Sequence, residues 1–169
     1  MKLLVIFAHG KESGPLGSKI KYLAEIAERH GAEVMSPDYS DLMDPDERVK
    51  RLLALPLPKY DLLILAGSSM GGYVSTVASK QLRPAALFLM APAFYLPGYA
   101  EQNPESFADS TCVVFGWRDD IVPPEHGIKF AQKFHTQLHM IDSDHRLNDV
   151  LPFVGNVFDT FLQATLKDH

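Results

Sequence analysis

Cysteine is almost missing from this chain. Cys112 stands alone among 169 residues, so no internal disulfide can brace the fold. It opens an apolar run, where a thiol packs as a small hydrophobe, and its solitude points toward a reducing compartment. No block of Lys and Arg occurs and the formal net charge is −5, which argues against a nucleic-acid partner. No apolar run approaches the length of a membrane span. Met1-Lys2 followed by Leu3 to Ala8 imitates the start of a secretion signal, but His9, Lys11 and Glu12 follow at once and no small-residue cleavage site closes the run. The expected setting is the cytoplasm, with no membrane partner. Repeats, low-complexity tracts and linkers are also lacking, so residues 1–169 are expected to form a single domain. None of the seven histidines has a partner at metal-ligand spacing, and no metal or organic cofactor is expected.

What is present is ordinary globular material, 46% hydrophobic and 22% charged. Strand-like and helix-like stretches alternate. Strands are predicted over 2–8, 32–36, 60–66, 85–90, 111–115 and 137–141, and helices over 18–30, 45–55, 70–80, 124–134 and 148–167. In the first helix Ile20, Leu23, Ile26 and Ala27 share one face and Gly31 is the stop; Asp44 is placed to cap the second, with Pro45 at its first position. Near-continuous apolar strands between helices imply a parallel sheet covered on both faces. One stretch breaks the alternation. Residues 91–110 hold Pro92, Pro97, Gly98 and Pro104 without periodicity, together with Phe94, Tyr95, Tyr99 and Phe107. It reads as a short cap and pocket wall, or else as a surface loop whose aromatics pack down on the core.

The chemistry-bearing residues sit at strand ends. Gly67-Ser68-Ser69-Met70-Gly71 follows directly on the apolar run Leu62 to Ala66. A G-x-S-x-G at a sharp strand-to-helix turn pushes the middle serine hydroxyl out at the top of a sheet, and the glycines keep Cβ atoms out of crowded backbone. Ser69 is the middle position; Ser68 is not. The competing reading of Ser69 is a helix N-cap. A nucleophilic serine needs a base, and the base an orienting acid. Gly116-Trp117-Arg118-Asp119-Asp120 follows one later strand and Ser143-Asp144-His145 another, giving the order Ser, Asp, His.

With these motifs in place, the chain resembles an α/β-hydrolase over nearly its whole length. Phe7-Ala8-His9-Gly10 resembles the segment after the first core strand, Gly67 to Gly71 the nucleophile elbow, Gly116-x-x-Asp119-x-x-Val122-Pro123 the acid loop, and Asp144-His145-Arg146-Leu147 the histidine loop. The resemblance implies a minimal α/β-hydrolase fold, with about six parallel strands in the order 2-1-3-4-5-6 and helices on both faces. It implies a Ser69–His145–Asp119 triad, with Asp119 favoured over its neighbour Asp120 by the spacing from Gly116. Asp142 and Asp144 flank the histidine and are read as shaping its loop, with a substitute acid as the alternative. His9 would shape the oxyanion loop rather than act as a base, and the backbone N–H groups of Met70 and Lys11 would form the oxyanion hole. The substrate expected is a small-molecule ester or thioester with a small or medium acyl group, bound in a pocket lined by Tyr73, Phe94 and Tyr95, by a monomer or a homodimer. An amidase or peptidase on the same fold, and a non-catalytic binding protein that has kept it, are the alternatives.

Overall fold

The strand Leu3–Ala8 (β1) is buried at every position. In the computed structural model, which describes residues 1–169, its side chains alternate between two cores. Leu3, Val5 and Phe7 join one apolar cluster and Leu4, Ile6 and Ala8 the other. This is the period-two consequence of a strand with helices on both faces, and it is why the sequence reads as an unbroken apolar run. Glu33–Met35 (β2), Leu62–Ser68 (β3), Ala86–Met90 (β4), Ser110–Gly116 (β5) and Gln137–Ile141 (β6) complete the sheet. All neighbouring pairs are parallel and the order is β2-β1-β3-β4-β5-β6, as the sequence leads one to expect. The edge strands β2 and β6 are only partly buried, which matches their mixed composition.

Helices Ser18–Arg29 (α1) and Leu151–Asp168 (α5) cover one face, through Ile20, Leu23 and Ile26 and through Val154, Phe158, Phe161 and Leu162. Pro45–Ala54 (α2), Met70–Leu82 (α3) and Pro124–Phe134 (α4) cover the other, through Val49 and Leu52, through Tyr73, Val74 and Ala78, and through Phe130. Asp44 caps α2 as its sequence position requires, its carboxylate accepting from the N–H groups of Asp46 at 2.8 Å and Glu47 at 3.3 Å. No helix is long and apolar enough to cross a membrane.

Most element ends differ from the sequence reading by a residue or two, and two elements depart further. β3 starts at Leu62 rather than Tyr60 and runs on to Ser68, because Ser68 still pairs with Met90 of β4. The final helix starts at Leu151; Asn148–Val150 is a single 3-10 turn entered through Leu147 in the left-handed region, φ 58°. Residues 91–109 contain no helix or strand. Three of their N–H groups donate to side chains outside the segment: Ala100 N–H to Asp46 at 3.0 Å, Glu101 N–H to the Tyr73 hydroxyl at 3.0 Å, and Phe107 N–H to the Ser79 hydroxyl at 3.1 Å.

The most demanding contacts lie at the β3–α3 junction. A Cβ on Gly67 would fall 2.2 Å from the carbonyl oxygen of Gly71, and one on Gly71 would fall 1.9 Å from that of Ala8. Both are contacts with backbone, which has no rotamer to escape into. Gly67→Ala is therefore expected to destabilise the fold by roughly 3 kcal/mol, the upper range for overpacking, and to lower the melting temperature by roughly 10 °C at this chain length. Thermal denaturation followed by circular dichroism checks this; a change below 2 °C would contradict the close approach.

Candidate active site

The spacing of the two glycines is a packing requirement, and its product is the conformation of Ser69. Gly67 and Gly71 allow β3 to turn into α3 with the two backbones touching each other and the end of β1. Ser69, between them, takes φ 55° and ψ −117°, a region that L side chains rarely occupy. Four backbone hydrogen bonds hold it there. Its N–H donates to Met90 at 2.9 Å, and its carbonyl accepts from Gly72 at 3.0 Å, Tyr73 at 3.3 Å and Ala93 at 2.9 Å. Strain held by surrounding structure is common where a side chain must be aimed.

A third glycine does comparable work between β5 and β6. A Cβ on Gly116 would lie 2.3 Å from the carbonyl oxygen of Ser143. Trp117 N–H donates to Ile141 at 2.9 Å and Arg118 N–H to Ser143 at 3.0 Å, so the loops after β5 and β6 are laced together. Asp119 and His145 are thereby brought into contact. His145 Nδ1 lies 2.7 Å from Asp119 Oδ2, and His145 Nε2 lies 2.9 Å from Ser69 Oγ. An ionised carboxylate only accepts, so Nδ1 carries the proton that faces it. In the neutral imidazole Nε2 is then left as an acceptor for the Ser69 hydroxyl. The other oxygen of Asp119 accepts from Ile121 N–H at 2.9 Å and Val122 N–H at 2.8 Å, which fixes the carboxylate from behind.

The neighbouring acids are elsewhere. Asp120 is exposed on the rim of the cleft. Asp142 pairs with Arg118 Nε at 2.6 Å. Asp144 accepts from the N–H groups of Arg146 at 3.0 Å and Leu147 at 3.3 Å and so forms the turn that carries His145.

His9 is fully buried. Its Nε2 accepts from Tyr39 N–H at 2.8 Å, so the ring proton is on Nδ1, which donates to the Gly10 carbonyl at 2.8 Å. Nε2 also lies 3.7 Å from an Asp38 oxygen, but with its lone pair engaged by a backbone N–H it forms no ion pair, and burial holds its pKa below the ordinary histidine value. Met70 is the first residue of α3, so its N–H has no acceptor within the helix. Lys11 lies on the cleft wall.

Ser69 and His145 open into a cleft of about 800 Å³. Here the structure corrects the sequence reading: Tyr73, Phe94 and Tyr95 do not line it. Tyr73 lies one helical turn beyond Ser69 and points between α3 and α2, where its hydroxyl donates to Asp46 at 2.6 Å. Phe94 packs on Phe130 in the core, with ring centroids 4.5 Å apart. Tyr95 meets the His126 ring edge-on and carries Lys129 Nζ 4.0 Å above its own ring. Its walls are mixed instead: Lys11, Glu12, Ser13, Lys19, Asp120 and Arg146 stand among the apolar side chains Ile20, Ala93, Leu96, Ile121 and Val122, with Tyr99 as the aromatic residue. Lys19 Nζ donates to the Arg146 carbonyl at 2.7 Å, and burial pushes its pKa down to about 8.

The sequence reading passed over Arg48, which is fully buried beside this site. The signal was available: Arg48 sits on the apolar face of α2 with Val49 and Leu52, where a cation is out of place.

Residues 4–103 match the uncharacterised protein family UPF0227. Among solved structures, the chain is similar to a protein from Xanthomonas campestris pv. campestris assigned to the alpha/beta hydrolase superfamily, with 32% identity, a TM-score of 0.88, and coverage of 95% of this chain and 98% of that one. It is also similar in fold to Est1E from Butyrivibrio proteoclasticus, at 18% identity, TM-score 0.85, and 98% and 89% coverage. A third likeness is to an α/β serine hydrolase without a lid from Xanthomonas campestris, at 19% identity, TM-score 0.68, and 95% and 81% coverage. No curated protein matches the chain in sequence. The first of these likenesses supports a hydrolase function, and the other two show the fold. The chain belongs to the uncharacterised protein family UPF0227 and to the α/β-hydrolase superfamily.

Proposed function

We propose that this protein is a serine hydrolase that cleaves a carboxylic ester or thioester of a small or medium acyl group through an acyl-enzyme. The observation that carries the proposal is the continuous chain of hydrogen bonds from Ser69 through His145 to Asp119, open to the cleft at its serine end. Ser69 Oγ attacks the carbonyl carbon while His145 Nε2 takes its proton. The tetrahedral oxyanion lies against the N–H groups of Met70 and Lys11. Collapse expels the alcohol or thiol, which leaves with the proton held by His145. Water then repeats the sequence on the acyl-enzyme, releases the acid and regenerates Ser69. Asp119 holds Nδ1–H in place and stabilises the imidazolium in both halves. One oxyanion donor contributes about 3 kcal/mol of barrier reduction.

Labelling with a fluorophosphonate probe, together with hydrolysis of p-nitrophenyl butyrate, tests this reading. Absence of both in folded protein would overturn it; hydrolysis of amides in preference to esters would move it to the amidase alternative.

Chain length follows from the cleft. A methylene contributes about 0.8 kcal/mol only where it is buried against apolar surface, and these walls interleave apolar side chains with charged and hydroxyl groups. The 91–109 segment supplies no amphipathic helix that could cover a long apolar groove. Activity on p-nitrophenyl esters is therefore expected to peak at roughly C2 to C6, without a jump in rate above the substrate's micelle concentration. A preference for C12 or longer acyl chains in a kcat/KM series would contradict this.

A further inference from the structure

Arg48 is a guanidinium buried without a carboxylate. It forms no ion pair, and every acceptor it has is a backbone carbonyl. Nε donates to Leu42 at 2.7 Å, and Nη1 donates to His9 and to Gly10, each at 3.2 Å. Nη2 has no partner. Burying an uncompensated charge costs several kcal/mol, and an apolar residue of similar volume would remove that cost. The two carbonyls that share Nη1 lie immediately before Lys11.

The geometry of one peptide unit explains what this burial accomplishes. The chain has no cis peptide bonds, so the Gly10 C=O and the Lys11 N–H point in opposite directions from one plane. The Gly10 carbonyl is held from inside the fold by two donors, Arg48 Nη1 at 3.2 Å and His9 Nδ1 at 2.8 Å. The Lys11 N–H therefore faces away from α2, and it has no acceptor in the protein. Lys11 borders the cleft. Gly10 itself rests against the nucleophile: a Cβ on it would sit 3.5 Å from Ser69 Cβ. The adjacent Gly10 N–H is already engaged, donating to Ser13 Oγ at 3.0 Å.

We propose that Arg48 is a positioning residue for acyl transfer: by holding the Gly10 carbonyl from within the fold, it aims the Lys11 N–H at the oxyanion that forms on Ser69. The inference rests on the serine-hydrolase reading above. Arg48 does not touch the substrate. Its charge, held on the carbonyl side of the peptide in a low-dielectric interior, also draws electron density from the amide and strengthens the N–H as a donor. The donor is in place before the reaction begins, so its benefit falls on kcat.

Arg48→Met and Arg48→Lys separate this role from a structural one. With p-nitrophenyl acetate, Arg48→Met is expected to lower kcat roughly 10- to 100-fold, somewhat less than outright loss of an oxyanion donor, with KM within about twofold of wild type. Arg48→Lys, which keeps the charge but reaches fewer carbonyls, is expected to fall between. Inhibition by an alkylboronic acid, which forms a tetrahedral adduct on a serine hydroxyl, should weaken in step with kcat. The aim of the amide can also be read without any variant. In wild-type protein labelled with 15N-lysine, the Lys11 amide proton is expected to move downfield when the boronic acid is added, and in Ser69→Ala it should not move. Wild-type activity combined with an unmoved Lys11 resonance, or with Arg48→Met retaining kcat within twofold, would overturn the positioning role alone. Wild-type protein that hydrolyses no ester and takes no fluorophosphonate would overturn the parent reading and this one with it.

Discussion

Ser69→Ala is expected to abolish p-nitrophenyl ester hydrolysis and fluorophosphonate labelling together, with a loss of roughly 10⁶-fold in kcat, the scale seen when an activated serine is removed from a preorganised site. The hydroxyl at 2.9 Å from His145 Nε2 is the group whose loss matters. Alanine leaves the backbone to carry the same positive φ, and the four hydrogen bonds to the Ser69 main chain are unaffected, so the fold should survive. Ser68→Ala is the matched control. Ser68 ends β3, 7% exposed and paired with Met90, and its variant should keep both activities. Mass spectrometry of the labelled wild-type protein decides the register: an adduct on Ser68 or any other serine would sink the assignment.

The second large effect separates two adjacent acids. Asp119→Asn is expected to cost about 10⁴-fold in turnover. An asparagine oxygen can go on accepting from the Ile121 and Val122 N–H groups, but its amide NH₂ would then face His145 Nδ1, 2.7 Å away in the native pair. Two donors cannot face each other, so the ring proton shifts to Nε2 and the base toward Ser69 is lost. Asp120→Asn removes a charge from the exposed rim of the cleft and should change kcat less than threefold, within the range of a screened surface charge. Measured kcat values for the two variants settle the matter; reversed effects would show that the spacing from Gly116 had been misread.

Much of the fold could be read from residue order, because the signals are local. Strand and helix alternate with the apolar period, Asp44-Pro45 marks a helix start, and Gly31 follows the last turn of α1. The boundary errors came where pairing partners, rather than composition, decide the limit. Ser68 is polar yet remains in β3 because Met90 is beside it. The 3-10 turn at Asn148–Val150 continues an apolar pattern that a helix would also satisfy.

The residues of the candidate site divide in the same way. The elbow motif and the order Ser, Asp, His are properties of the chain, since each side chain lies within four residues of a strand end and a parallel sheet sets those ends along one edge. Which side chains line the cleft is not such a property. Tyr73, Phe94 and Tyr95 are near Ser69 in sequence or on the loop beyond it, yet each turns into packing against α2 or α4, because an aromatic ring loses more by facing water than by burial and the core had room for it. The polar wall residues come from the β1–α1 loop, from α1 and from the loops after β5 and β6, far from Ser69 in the chain. Arg48 is the plainest case. Its position on the apolar face of α2 could be seen in the sequence, but its partners, the carbonyls of His9 and Gly10, lie 39 and 38 residues away. Sequence by itself determined the elements, their order and the motif that shapes the serine, because those depend on local backbone preference and period. The tertiary structure alone decided the walls of the cleft and the partners of the buried cation, because those depend on which side chains meet after non-local packing.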